Sequence, residues 1–473
     1  MWPIITSLSM TALWAVCGVE AIRILSNTTL GQDPQTVNRL NGESFQQDAL
    51  VTFKEYQYAV FWLADASNSS IRHPSVSRRS LANSSNWETF TFMDYNQTED
   101  DGHDIISLGI APSDGTIHLS FDHHDNALKY RVSISGASSD PASTTWSSDL
   151  FSPTLDYLPG TELLNKTAYF GSVTYPRFLS APSSALAFAS RFLFELRIGR
   201  SGLGDDWLYE YADGNWTLVG KYLEGVNNNA YINGLDFDSQ GDLITTWTYR
   251  DYVNDTGKDV AVQAGPNGPE NNHDMDFASS PDLGRTWINT WGQTISNMTE
   301  EKPILPSSAG ITVFSIPKYG GILNQESQTV DDEGRVHVLN RENTTGIEQW
   351  YHYWRSTTAH WTRTPFPLTL PSANNITQTP TVIGKRGKLA TVSSRLFAIL
   401  PSNAPNSTAL SILGSTAAGH FRDWEVLWEI ENGCTAEPLF DRYRLREGDG
   451  VLSLFLVDGR EVRIVDLDLD LEV

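Results

Sequence analysis

The sequence has 473 residues, with 57 acidic against 33 basic side chains and a formal net charge of −24. That balance excludes a nucleic-acid binder working by phosphate neutralisation, which needs a basic footprint, and it opposes docking on an anionic membrane. With 11% aromatics, 35 Gly and 22 Pro, the composition is that of a turn-rich folded protein and excludes a disordered one.

Residues Ile4 to Val16 are mostly apolar, too short to span a bilayer, and followed by the small residues Gly18 and Ala21. They read as a secretory signal over residues 1–21, cut between Cys17 and Ile22, with an N-terminal anchor as the alternative. A mature domain over 22–473 and an extracellular location follow. Eleven N-x-S/T sequons run from end to end, at Asn27, Asn68, Asn83, Asn96, Asn165, Asn215, Asn254, Asn297, Asn343, Asn375 and Asn406, as expected of a secreted glycoprotein. After cleavage only Cys434 remains, which excludes an intrachain disulfide and a cysteine-rich zinc site.

Short β-type runs then alternate with turns. Four follow a glycine directly: Thr116–Phe121 after Gly115, Asp242–Trp247 after Gly241, Arg335–Leu339 after Gly334 and Val451–Leu456 after Gly450. Gly387 before Lys388 makes a fifth mark, and weaker marks near Lys54 and Ser184 complete seven. Each predicts a tight turn between the first two strands of a sheet. Tryptophans form a second series: Trp87, Trp146, Trp216, Trp287, Trp361 and Trp424, spaced by 59 to 74 residues. Around Trp287 the sequence is a full Asp-box, Ser280-Pro-Asp-Leu-Gly-Arg-Thr-Trp287, with looser copies at Ser356–Trp361 and Ser139–Trp146. Seven marks at this period predict an all-β, single-domain, seven-bladed β-propeller of four-stranded blades, with a six-bladed ring as the alternative. The last blade lacks an outer strand, which the segment near Ile22–Leu25 is expected to supply, removing two open sheet edges. The period-2 run Arg463–Leu471 has an acidic face that reads as a solvated strand surface in preference to a structural calcium site.

In such a ring, the residues leading into each first strand and those ending each second strand share one rim of the central channel. The register puts His103, Tyr175, Tyr231 and Asn324 in the former positions and His123, Arg197, Arg250, Arg341 and Arg395 in the latter. Cationic and titratable groups converging on one rim of so acidic a chain predict a pocket for an anionic ligand, with arginine forks suited to a carboxylate. The competing reading pairs these arginines with acidic neighbours. Of the adjacent His123 and His124 only one can face the channel, and His123 is the expected one. His118 and His337 read as structural, and His273 either caps the pocket or buttresses blade four. A histidine pair, a tyrosine and an arginine suit proton abstraction beside a carboxylate, with either His or Tyr as base. No paired carboxylates occur at this rim, which argues against ordinary glycoside hydrolysis.

Gly102–Ile110, Asp114–His124, Thr174–Phe178, Arg197–Gly202, Tyr231–Leu235, Thr246–Arg250 and the Asp-box together resemble the BNR-repeat propeller lyases, a group including ulvan lyases and secreted fungal L-rhamnose-α-1,4-D-glucuronate lyases. The resemblance runs from about residue 40 to the C-terminus. It implies β-elimination at a uronic acid, with His103 and His123 as the active-site histidines, Tyr175 as the catalytic tyrosine and Arg197 as the residue neutralising the carboxylate. Tyr231, Arg250, Asn324, Arg341 and Arg395 are the expected substrate-binding residues. It further implies no cofactor for the chemistry, none of the cysteine-bound structural zinc of some ulvan lyases, an acidic plant or algal glycan as partner, and a monomer. A sialidase-like glycosidase and a lectin-like propeller are the competing functions.

Overall fold

The structure is a computed structural model. It describes residues 22–469, apart from 35, 44, 47, 84–85, 185–187, 201–202, 226–229, 251–270, 371–372, 375–384, 403 and 405. The expected leader at 1–21 lies outside the described residues.

Seven antiparallel sheets stand around a central channel. Blade one is Leu50–Phe53, Tyr56–Ala64, Arg72–Ser80 and Glu88–Thr91. Blade two is Ile106–Ile110, Ile117–Phe121 and Tyr130–Val132, its fourth strand reduced to bridges such as Ser133 with Phe151. Blade three is Val173–Ser180, Phe192–Ile198, Asp205–Ala212 and Asn215–Leu223. Blade four starts with Ala230–Phe237, Leu243–Arg250 and Asn272–Ser280, and continues outward through Thr286–Ile288 and Thr294–Asn297. Blade five is Ser327–Val330, Val336–Glu342, Gln349–Arg355 and Trp361–Pro365; blade six is Lys388–Val392, Arg395–Pro401, Leu410–Thr416 and Glu425–Ile430. In blade seven Leu439–Phe440, Leu452–Asp458 and Glu461–Asp468 are joined by an outermost strand from the other end of the chain, Arg23–Gln32. That strand pairs antiparallel with Glu461–Asp468, Thr28 opposite Ile464, and covers the edge of the C-terminal strand, itself becoming the outer edge of the blade.

Aromatic wedges hold neighbouring blades together. In the Asp-box, Asp282 Oδ1 accepts the backbone N–H of Thr286 (2.7 Å) and Oδ2 accepts its hydroxyl (2.8 Å), while Ser280 Oγ accepts the N–H of Gly284 (2.8 Å). The turn so fixed sends Trp287, fully buried, onto Tyr222 of blade three at 5.0 Å. Trp361 packs in the same way on Phe277 and Phe314 of blade four, and Trp424 on Phe366 of blade five. Burying one indole contributes roughly 4 kcal/mol gross at ~25 cal/mol per Å² over ~150 Å². Cys434 is buried, with its thiol pushed up to about 12 by burial.

The glycine marks at Gly115 (φ 68°) and Gly334 (φ 82°) do form turns between first and second strands, in the left-handed conformation that glycine adopts without a Cβ clash. Gly387 does not. It precedes Lys388–Val392, and the positive φ of that blade's turn falls on Ser393 (53°). Arg395 is therefore the first residue of the second strand, exposed at the rim opposite the pocket, and not its last. The aspartate row also differs from expectation. Asp466 is 2% exposed and accepts from Arg79 (2.8 Å), Ser26 (2.7 Å) and Ser453 (2.8 Å), with Arg444 at 2.9 Å. Its oxygens are taken by arginines and hydroxyls, so Asp466 is not on a solvated face, whereas Asp468 is part-exposed and pairs with Arg23 (2.5 Å), and Asp470 lies outside the described residues.

Opposite the pocket, the short helix Arg442–Glu447 sits in the first turn of blade seven, capped by Asp441, whose carboxylate accepts the N–H groups of Tyr443 and Arg444. Arg442 reaches Asp236 (2.5 Å) and Asp48 (3.4 Å). Buried charges face one another along the channel, where burial pulls Lys388 down to about 8.

Candidate active site

The channel mouth holds a cavity of about 530 Å³, walled on one side by Val37, Asn38 and Arg39 of the N-terminal segment and on the other by Asp101, His103, Tyr175 and Arg386. Beneath it, past Phe45 and Gln325, lies a narrower cavity of about 40 Å³ among Arg177, Asp236, Lys388 and Arg442.

Tyr175 stands in the first strand of blade three with φ +57°, a left-handed conformation that is an outlier for a bulky residue. The pairing with Phe192–Ile198 shifts register between Thr174 and Arg177 at this point. A local irregularity thus turns the phenol toward the channel, where its ring lies 5.4 Å from Phe45, 5.8 Å from His103 and 6.2 Å from Tyr231. Such strain is characteristic of functional positions. Burial and the neighbouring Tyr231 push the phenol up to about 12 against the opposing pull of Arg197.

Arg197 ends the second strand of the same blade, 3% exposed, with its guanidinium 4.8 Å over the Tyr175 ring. Its Nη2 donates to Asp125 Oδ1 (2.9 Å) and Thr174 Oγ1 (3.0 Å). Arg250 lies over Tyr231 at 5.0 Å. His103, Tyr175, Arg197, Tyr231 and Arg250 are therefore gathered in one aromatic and cationic cluster.

The histidine pairing differs from the expected one. His123 is fully buried; its Nε2 accepts the backbone N–H of Lys129 (2.9 Å), and burial together with Lys129 pulls the imidazole well below its ordinary value. His124 is the one that stands beside His103. Its ring stacks on His103 at 3.8 Å and 19°, and its Nδ1 lies 2.5 Å from Asp101 Oδ2, while His103 Nδ1 lies 2.6 Å from Oδ1 of the same carboxylate. Positive φ at Asp122 (62°) and Asp125 (59°) breaks the strand alternation on both sides of the pair, and His124 begins a new short strand, His124–Asn126, on the edge of blade three. Burial lowers His103 despite Asp101; His124 is raised, Asp101 and Asp125 outweighing its burial. Asp101, His103 and His124 are, among the described residues, the group of donors close enough together to consider for a metal, within 4.8 Å. The Nδ1 to carboxylate contacts are hydrogen-bond distances, and we read them as a hydrogen-bonded triad.

Other expected binding residues are engaged structurally. Arg341 is 2% exposed, paired with Glu326 (2.9 Å), donating to the Lys385 carbonyl (3.0 Å) and stacked over Trp350, the arrangement that the acidic-neighbour reading describes. Asn324 is 1% exposed and accepts from Arg386 through its carbonyl and side-chain oxygens, both at 3.2 Å. Arg386, which also donates to Glu437 (3.1 Å), lines the pocket and was missed by sequence reasoning, as were Asp101, His124 and the N-terminal wall. With Gly387 recognised as leading into a first strand, Arg386 falls just before Lys388–Val392, at the entry end where Tyr175 and Tyr231 begin theirs. His118 is satisfied by Tyr130 and Thr116, and His337 by His352 and Asp331. His273 contacts Asp274 at 2.9 Å, next to the insertion outside the described residues.

Fold and site together define a seven-bladed β-propeller with one asymmetric pocket at its channel mouth. Residues 56–367 match the BNR repeat-containing family, and the chain belongs to it. Among solved structures it is similar to the polysaccharide lyase Uly1, with a TM-score of 0.67 at 17% identity over 92% of this chain and 91% of that one. It is also similar to an ulvan lyase of family PL25, with a TM-score of 0.62 at 14% identity over 93% and 97%, and to an ulvan lyase structure bound to -[GlcA(1-4)Rha3S]-, at 13% identity and the same TM-score and coverage. No curated protein matches the sequence.

Proposed function

We propose that this protein is a secreted polysaccharide lyase that cleaves, by β-elimination, the bond to O4 of a glucuronic acid, acting on rhamnosyl-α-1,4-glucuronate caps of plant glycans such as arabinogalactan or gum arabic. The observation that carries the reading is the convergence of a stacked histidine pair, a buried tyrosine and an arginine fork at one pocket. The likeness to lyases, one of them bound to a glucuronate–rhamnose repeat, supports the substrate class.

In this reading the uronate carboxylate meets Arg197, whose orientation Asp125 and Thr174 fix in advance. His103, kept neutral by its lowered pKa, takes the C5 proton at Nε2. The electron pair of the broken C5–H bond forms the C4=C5 double bond as the C4–O4 bond breaks. Tyr175 retains its proton at neutral pH and gives it to the departing O4. Arg197 and the His124 cation offset the second negative charge that develops next to the carboxylate. The proton on His103 then returns to Tyr175 or to water, and the enzyme is restored.

Incubation with rhamnose-capped glucuronate glycans, with ulvan in parallel, tests the reading through the absorbance of an unsaturated uronate. A rise with the capped glycan is expected. No rise on either substrate rejects a lyase in favour of a sialidase-like hydrolase or a lectin, and a rise on ulvan alone rejects the capped glycan.

A further inference from the structure

We propose that Asp101 is the positioning residue of this site, one carboxylate that ties both histidines by Nδ1, aims both Nε2 atoms into the pocket and makes the pair share a single proton. The catalytic consequence rests on the elimination reading above; the tie itself rests on geometry.

Asp101 Oδ1 accepts the backbone N–H of His103 (2.9 Å) and lies 2.6 Å from its Nδ1, while Oδ2 lies 2.5 Å from His124 Nδ1. A carboxylate in this position is an acceptor on both oxygens, so both histidines present Nδ1–H to it. Burial pushes Asp101 up, but hydrogen bonds from His103 and His124 outweigh it and hold the group well below the usual carboxylate range. The carboxylate therefore stays ionised wherever the site works. Neither Nε2 has a protein hydrogen bond among the described residues. Because the opposite nitrogen of each ring is pinned, each Nε2 is left for substrate.

The rings are fixed from the sides as well. Phe45 stacks on His103 at 5.5 Å and 14°, and His124 on His103 at 3.8 Å, giving a three-ring pile with His103 in the middle. Two imidazolium cations at that separation repel strongly, so one proton beyond the two Nδ1 protons is the stable load. The surroundings decide where it sits. Asp125 and Arg197 flank His124; Arg197 and Tyr175 flank His103; Arg39, Glu43, Asp100 and Arg386 line the same cavity. Asp125, the residue next to His124, helps to raise that imidazole, while burial lowers His103, which places the proton on His124. Asp101 thus ties the two side chains together, and burial and Asp125 make them an unlike pair, one bare base and one cation.

The test uses the full-length protein with 15N-histidine, and long-range nitrogen–proton correlation spectra recorded across pH on wild type, Asp101→Asn and Asp101→Glu. Two rings in the Nδ1–H tautomer that titrate as separated steps are expected in wild type. In Asp101→Asn the amide NH2 faces one ring, so at least one tautomer changes and the two steps draw together. Turnover should fall on the order of a hundredfold with KM changed much less, and Asp101→Glu should recover part of it. Wild-type histidines in the Nε2–H tautomer, or an Asp101→Asn variant with unaltered tautomers and pH profile, overturn the proposal. So does loss of activity on chelation that Zn²⁺ restores in wild type and not in Asp101→Asn, since that makes the triad a metal site. The spectra need no substrate, so failure of the lyase reading leaves the tie separately measurable.

Discussion

Arg197 reaches the pocket already oriented by Asp125 and Thr174, so its guanidinium costs little further ordering when a carboxylate arrives. Replacing it with alanine should lower turnover on the order of 10²–10³-fold, the usual effect of removing one anion-stabilising donor, with an unchanged circular dichroism spectrum. Near-normal turnover would move the carboxylate to Arg250. The two adjacent histidines should part ways. His124→Ala should lose about a hundredfold in rate while melting near wild type. His123→Ala should be less stable by about 1–3 kcal/mol, because the Lys129 N–H loses its acceptor and a fully buried ring is removed. The pH dependence follows from the opposed shifts. The acid limb of kcat/KM, where His103 gains a proton, should lie below the ordinary imidazole value near 6.5; the alkaline limb, where His124 loses one, should lie above it. A profile with the limbs exchanged or absent counts against these roles. The sequence favoured His123 because alternation along a strand assigns one face to each residue. That rule fails once Asp122 and Asp125 adopt positive φ, a change of direction that period-2 patterning does not encode.

At the scale of single elements, the Asp-box shows how a local motif holds two blades. Asp282→Ala removes the acceptors of the Thr286 N–H, the Thr286 hydroxyl and the Ser280 hydroxyl, at about 1 kcal/mol each. Thermal or urea unfolding should report a loss of about 2–3 kcal/mol, and no loss would mean that the Trp287 packing alone fixes the turn. This element was fully legible in the sequence, because each of its bonds is made within eight residues. Gly387 was legible only in part. A glycine before a β-run marks a turn in four blades, but in blade six it marks the approach to the channel, where its Cβ would come within 2.8 Å of Leu339. The same misplacement hid Arg386 and offered Arg395 instead. The wall of Val37, Asn38, Arg39, Glu43 and Phe45, like Asp101, lies in connections without periodicity, held by long-range contacts such as the Val37 and Asn38 N–H groups on Asp100, so no pattern in the chain points to it.

On the scale of the whole molecule, the ring closes by one strand, Arg23–Gln32, and the described residues contain no disulfide to back it up. Deleting residues 23–32 should uncover the edge of Glu461–Asp468 and strip Ser26 from the buried Asp466. A lower melting temperature and faster proteolysis are expected, whereas a reducing agent should leave the wild-type melt unchanged. Seven blades and their closure could be read from turn and tryptophan spacing because every blade repeats the same packing problem. The pocket breaks the repeat, and the residues that depart from it are the ones that spacing could not place.

Among the described residues the channel narrows beneath Phe45, and the Arg442 helix lies across its far end, so the wide mouth is the entrance to the site. On the proposed lyase reading, a glycan is then not threaded through the ring like a string through a bead. Incoming chain end and outgoing product use the same opening, so each departing molecule stands in the path of the next. Accumulated product should therefore raise the apparent KM while leaving kcat untouched, and degradation should slow through queuing long before substrate is exhausted.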